Sequence, residues 1–246
     1  MVSVDTVYQR VLALANKEQR GYITPQEFNL LANQAQMTIF EQYFYEIKQL
    51  ELTTAGNDME YSDLMKIINE KISIFKKYDN ALVFGSNGFF EYPTDMYRLG
   101  TLYYAETSLL EDGIEIQEIN DNELLDYYNS PLTKPDRSRP LFIRREEGIR
   151  VLPDVSLIAI NSNVTASYVR VPHPVNWGYI ITPSQAPGAG DALYNASASF
   201  NFELHNSEET LLVLKILALA GIVINKPGLS QTASNEETEI KTQQKA

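Results

Sequence analysis

The chain has 246 residues, 44% of them hydrophobic, with a formal net charge of −12 and a sequence pI near 4.7. It has no cysteine, which excludes a disulfide framework, thiolate catalysis and cysteine-ligated zinc. The acidic balance argues against wrapping nucleic acid, which needs a stripe of Lys and Arg.

The first 20 residues lack the apolar core of a signal peptide, and no segment reaches the ~20 apolar residues that span a bilayer. A soluble protein, made and used inside a cell, is expected. The sequons at Asn163 and Asn195 then carry no meaning.

The first predicted helix covers residues 3–17, with Val4, Val7, Val11 and Leu14 on one face and Tyr8 and Leu12 alongside. The second, Thr24 to Leu52, is the landmark of the chain. Thr24 is placed as N-cap, Pro25 at the first helical position and Glu27 as the partner in a capping box. About 28 residues at ~1.5 Å each give a rod of roughly 40 Å. Phe28, Leu31, Ala35, Ile39 and Tyr43 form one apolar line, and Met37, Phe40, Phe44 and Ile47 a second. Most other positions are amides, among them Asn29, Asn33 and Gln36. Such a helix is expected to be buried by several neighbours, in its own chain or in another. A third helix is predicted from Tyr61 to Tyr78, with Leu64, Ile67, Ile68, Ile72 and Phe75 inward and lysines at its C-terminal end.

The pattern changes near residue 80. A hairpin is predicted over 81–92, a strand over 96–106 and an alternating strand over 114–119; Asn120 then caps a short helix ending near Tyr128. Residues 130–140 form a basic, Pro-rich loop. A second hairpin follows (141–143 and 148–152), then a strand over 164–171 with Ala166, Tyr168 and Arg170 on one face. Residues 172–179 leave the sheet, Thr182 to Ala192 reads as an exposed loop, and Ser199 to Leu204 alternates again. Asn206 is predicted to cap the last helix with Glu209 at N3. Leu211 to Ile224 is then almost wholly apolar, as in a core helix that packs on the N-terminal ones. The polar tail after Gly228 is expected to be mobile unless a partner orders it.

These elements make an α+β protein: a helical bundle of the N-terminal helices and a C-terminal return helix, with an inserted antiparallel β region. The expected parts are 1–80 (helical), 81–204 (β-rich, with one short helix), 205–227 (return helix packing on the helical part) and 228–246 (tail).

No phosphate-binding, dinucleotide-binding, zinc-protease or nucleophile-elbow motif occurs, and no metal or cofactor is expected. The histidines, His173 and His205, have local roles available, and nothing pairs their spacing. Glu111-Asp112, Glu146-Glu147 and Glu208-Glu209 are paired carboxylates of the kind any acidic protein has. Facing across a cleft lined by Tyr103, Tyr104, Tyr127, Tyr128 and Trp177, such carboxylates would make a glycosidase. Tyrosine and tryptophan more often fill packing or a protein interface.

Charge is uneven: residues 81–130 carry one basic and ten acidic side chains, and residues 131–172 carry seven and four. These blocks are either a solvated acidic face beside a basic one or candidate complementary surfaces between subunits: Glu111, Asp112, Glu115 and Glu118 on one side, and Arg137, Arg139, Arg144 and Arg145 on the other. Phe40, Tyr43 and Phe44 are added as a candidate packing patch.

The run VYQRVLALANKEQRGYITPQEFNLLANQAQMTIFEQYF, the middle YPTDMYRL, the segment VPHPVNWGY and the C-terminal FELHNSEETLLVLKILALAGIVI resemble virion structural proteins of crAss-like and marine short-tailed bacteriophages. The resemblance implies a non-enzymatic, ring-forming connector or adaptor below the portal, typically twelvefold, continuing the channel through which genome DNA passes without specific binding. It implies homo-oligomers, with the portal and other tail proteins as partners and the virion head–tail junction as location. The tubular adaptors of podoviruses have a similar order: helical part, β insertion, return helix. The alternatives are a virion-associated carbohydrate- or cell-wall-degrading enzyme, another tail hub or cargo protein, and a monomeric β-rich binding module.

Overall fold

The computed structural model describes residues 1–17, 23–52, 58–104, 113–136, 138–153, 164–181, 192–223, 235 and 238. The chain is α+β and divides into two units: residues 1–74 with 172–246, and residues 75–171. The boundaries therefore fall at 75 and 172, where the sequence placed them at 81 and 205.

The helical unit is built from α1 (Val4–Lys17), α2 (Pro25–Leu52), α3 (Asp58–Ser73) and, at the end, α5 (Glu209–Val223). The capping box of α2 forms as its residues dictate: Glu27 Oε2 accepts from the Thr24 backbone N–H at 2.9 Å and from its hydroxyl at 2.8 Å. These bonds, the backbone one first, hold the Glu27 carboxyl below the usual carboxylate range. Phe28, Leu31, Ala35, Ile39 and Tyr43 are all buried, as their spacing predicts. The second line is mixed, with Phe40 buried and Met37, Phe44 and Ile47 half-buried. In α1 the buried stripe is Val4, Val7, Tyr8, Val11 and Ala15, so the expected Leu14 faces out. α5 packs on both α1 and α2, and nearly every side of it is buried between Leu211 and Ala220.

Two helix ends differ from expectation. α3 stops at Ser73, and Lys76 and Lys77, expected as its C-terminal cations, begin a strand. Before α5, Asn206–Glu208 forms a 3₁₀ turn capped by His205, which accepts from the Ser207 N–H at 3.3 Å. Asn206 instead takes the Met1 ammonium at 2.9 Å. Asn120 likewise precedes a 3₁₀ turn without a side-chain cap bond.

The second unit is a six-stranded sheet of β1 (Lys76–Ala81), β2 (Met96–Tyr104), β3 (Ile114–Glu118), β4 (Leu141–Arg145), β5 (Gly148–Leu152) and β6 (Val164–Arg170), in the order β1-β6-β2-β3-β4-β5. It is mixed rather than purely antiparallel, because β3 and β4 run parallel across the short helix α4 (Leu124–Asn129) and the loop after it. Leu102, Ile116, Phe142, Val151, Val164 and Ala166 form its main core. Leu141, Ile143 and Leu152 point the other way into a smaller cluster covered by Leu124 and Tyr127. Burial on both faces explains why β4 begins as an unbroken apolar run. The expected hairpin at 81–92 is reduced to a bridge between Phe84 and Phe90, and Phe90 also bridges to Ile149.

In the helical unit, β7 (Tyr179–Ile181) and β8 (Ala192–Tyr194) pair as a separate two-stranded sheet not expected from sequence. Residues 199–204, expected as a strand, make only single bridges, Phe200 to Asn176 and Phe202 to Val2. Nearly all of the expected 182–192 loop, and most of the tail, lie outside the described residues.

Candidate functional site

Two of the candidate interface charges, Arg144 and Glu118, meet within the chain itself. Arg144 grips Glu118 with two bonds, Nε and Nη2 each 2.7 Å from a different carboxylate oxygen. Arg145 meets Asp121 at 2.9 Å, and this bond holds its guanidinium more firmly protonated. The parallel β3–β4 pairing brings acidic and basic blocks side by side within one subunit, so these charges neutralise each other there. Arg139 donates to the Leu132 carbonyl at 3.2 Å, and Glu115 is exposed on β3 opposite Tyr103. Arg137, Glu111 and Asp112 lie outside the described residues. Phe40 and Tyr43 belong to the chain's own core, leaving only Phe44 of that trio half-buried.

Beside these charges the sheet has a seam. β3 pairs with β2 through residues 114–116, then with β4 through 117–118. Opposite the change of partner, β2 slips register between Leu99 and Leu102, and a side chain at Gly100 would come within 2.7 Å of the Ser167 carbonyl oxygen. The result is an open cleft of about 530 Å³ lined by Gly100, Thr101, Glu115, Gln117, Glu118 and Phe142.

Two further polar clusters pin elements together. In the sheet, Asp95 accepts from Lys77 at 2.6 Å and from the Tyr168 hydroxyl at 2.9 Å. The lysine bond chiefly holds the Asp95 carboxyl below its usual range; burial and this aspartate raise Tyr168. In the helical unit, Glu208 is fully buried and pairs with Lys71 at 2.6 Å, tying α3 to the start of α5. The Lys71 ammonium also lies 5.7 Å from the Tyr43 ring centre. Burial, then the charges of Glu208 and Glu46, push the Tyr43 hydroxyl far up. That hydroxyl has no hydrogen-bond partner among the described residues.

The amides of α2 find their purpose in residues 173–177. Asn29 accepts from Trp177 N at 2.8 Å and donates to its carbonyl at 3.3 Å. Asn33 brackets Val175 in the same way, at 2.8 and 2.9 Å. Gln36, itself buried, donates to the His173 carbonyl at 2.9 Å, and Glu203 accepts from the His173 N–H at 2.8 Å. Helix positions four and three apart thus meet every second residue of an extended ribbon. The odd residues face α2; Pro172 and Pro174, which have no N–H, occupy alternate even positions.

Trp177 ends the ribbon buried against Tyr8, with its indole N–H on Asp5 at 3.1 Å. It and Tyr104 are core residues rather than the walls of a sugar groove. His173 stacks on Phe200 with centroids 5.3 Å apart. Among the described residues, no group of three or more His, Asp or Glu is placed to hold a metal ion, and no helix is long and apolar enough to cross a membrane. Three amides on one helix face and two alternating prolines were visible signals of the ribbon; the seam and the buried Lys71–Glu208 pair had none. The chain matches no protein-family model, and no curated protein matches it.

Proposed function

We propose that this chain is a structural subunit of a tailed-phage virion, forming a ring of roughly twelve copies at the head–tail junction that lines or supports the genome channel. The observation that supports this reading is the order of units. A helical body opens the chain, a β-rich unit of residues 75–171 is inserted, and α5 returns to pack on α1 and α2. That is the order implied by the resemblance to connector and adaptor proteins. The net charge of −12 agrees with a channel component that lets DNA slide.

The test is native mass spectrometry with negative-stain imaging of the purified protein, alone and mixed with portal rings. Closed rings near twelve copies are expected. A chain that stays monomeric in both conditions overturns the reading, as does retention of duplex DNA at moderate salt.

A further inference from the structure

Residues 172–202 contain a single charged residue, Asp191, in a chain where 21% of residues are charged. Among the described residues, the same stretch carries the largest group of uncovered apolar side chains in the helical unit. Ile180 is 56% exposed, Ile181 64%, Leu193 55% and Tyr194 39%, with Phe200, at 54%, near the base of the hairpin. Ile180 and Leu193 are direct cross-strand partners.

A two-stranded hairpin is marginal in water without a third strand or a covering layer. One end is anchored: Tyr179 and Tyr194 lie on Trp177, with ring centroids 6.0 and 5.7 Å away. Both outer edges of the β7–β8 pair are unpaired among the described residues. By the register, Ile180 and Leu193 point to one face of the pair and Ile181 and Tyr194 to the other, so apolar side chains are exposed on both faces of the strands. Depletion of charge with enrichment of aromatic residues is the composition of an interface core.

We infer that the β7–β8 hairpin is the surface through which one copy of this chain docks on another. The inference rests on the assembly reading above and assigns it a contact. The charge pattern selects the occupant. An anionic membrane or nucleic acid would be met by Lys and Arg, and the stretch has neither. A basic protein would be met by carboxylates, and it has one. Two copies of a molecule with charge −12 repel over most of their surface, and this neutral apolar stretch is where they approach at least cost.

Sedimentation velocity over a wide concentration range tests the inference on the full chain. The comparison is between the native protein, Ile180→Asp/Leu193→Asp and Tyr78→Asp, an exposed control in the other unit. The paired aspartates should weaken self-association by at least about tenfold and leave the control unchanged. Should the aspartate pair fail to fold by circular dichroism, Ile180→Ser/Leu193→Ser carries the same test. Self-association untouched by either hairpin variant overturns the inference and leaves the assembly reading standing. A native protein that stays monomeric both alone and mixed with portal rings overturns both.

Discussion

Asn33 is a single side chain on which two main-chain groups depend, the N–H and the C=O of Val175. Asn33→Leu should cost about 2–3 kcal/mol, because both part-buried groups lose their partner; chemical denaturation measures it. Asn33→Asp keeps the acceptor, sets a second oxygen against the carbonyl, and should also destabilise. The exposed Arg144–Glu118 pair is the opposite case. Arg144→Glu should cost about 1 kcal/mol, and Arg144→Glu/Glu118→Arg should recover most of it in a double-mutant cycle. Asp95 gives a pH signature. Its folded pKa is lowered by Lys77 and Tyr168, so its contribution is present above the unfolded carboxyl value of about 3.9 and is lost as pH falls through the folded one. Acid titration of stability should lose a component below about pH 4 that Asp95→Asn lacks. With both partners more than a third exposed, its size should stay within about 1 kcal/mol. The amides of α2 were legible as residues that did not belong to an apolar face. What they bind was not, since hydrogen bonds from side chains to a distant backbone leave no period in the sequence.

At the scale of elements, α2 was the most legible, because its cap, its length and its burial all follow from local residues. The end of α3 was not. Lys76 and Lys77 suit a helix C-terminus, but their backbone pairs with Val169 and Tyr168 of β6, and the long-range ladder overrides the local preference. The strands β7 and β8 are only three residues each, too short to display alternation. The β4–β5 hairpin was read correctly from its pattern, and one residue carries its turn. Gly148 has φ of +143°, and a side chain there would fall on the Phe90 carbonyl oxygen, within the bridge that joins Phe90 to Ile149. Gly148→Ala should therefore destabilise the sheet by more than about 2 kcal/mol, read as a drop in the melting temperature.

At the scale of the molecule, the α+β class and the return of α5 to the first helices were legible, while the unit boundaries were not. Residues 172–181 and 199–204 look like part of the β region because they are largely apolar and extended. They belong to the helical unit because α2 supplies the hydrogen bonds that a neighbouring strand would otherwise give. Residues 75–171 form a unit continuous in sequence. Expressed alone, that segment should keep β-type circular dichroism and a cooperative melt; a random-coil spectrum would contradict this. The helical unit has no such independence, and the consequence is one of timing. On the ribosome, α1, α2 and α3 are complete by residue 73, but the ribbon that occupies Asn29, Asn33 and Gln36 and the helix α5 that packs on α1 and α2 arrive only by residue 223. At roughly 5–20 residues per second, about 150 further residues take roughly 8–30 s. For that interval the inserted sheet can finish folding while the domain begun before it waits open, its apolar helix faces available to any chaperone that binds nascent chains.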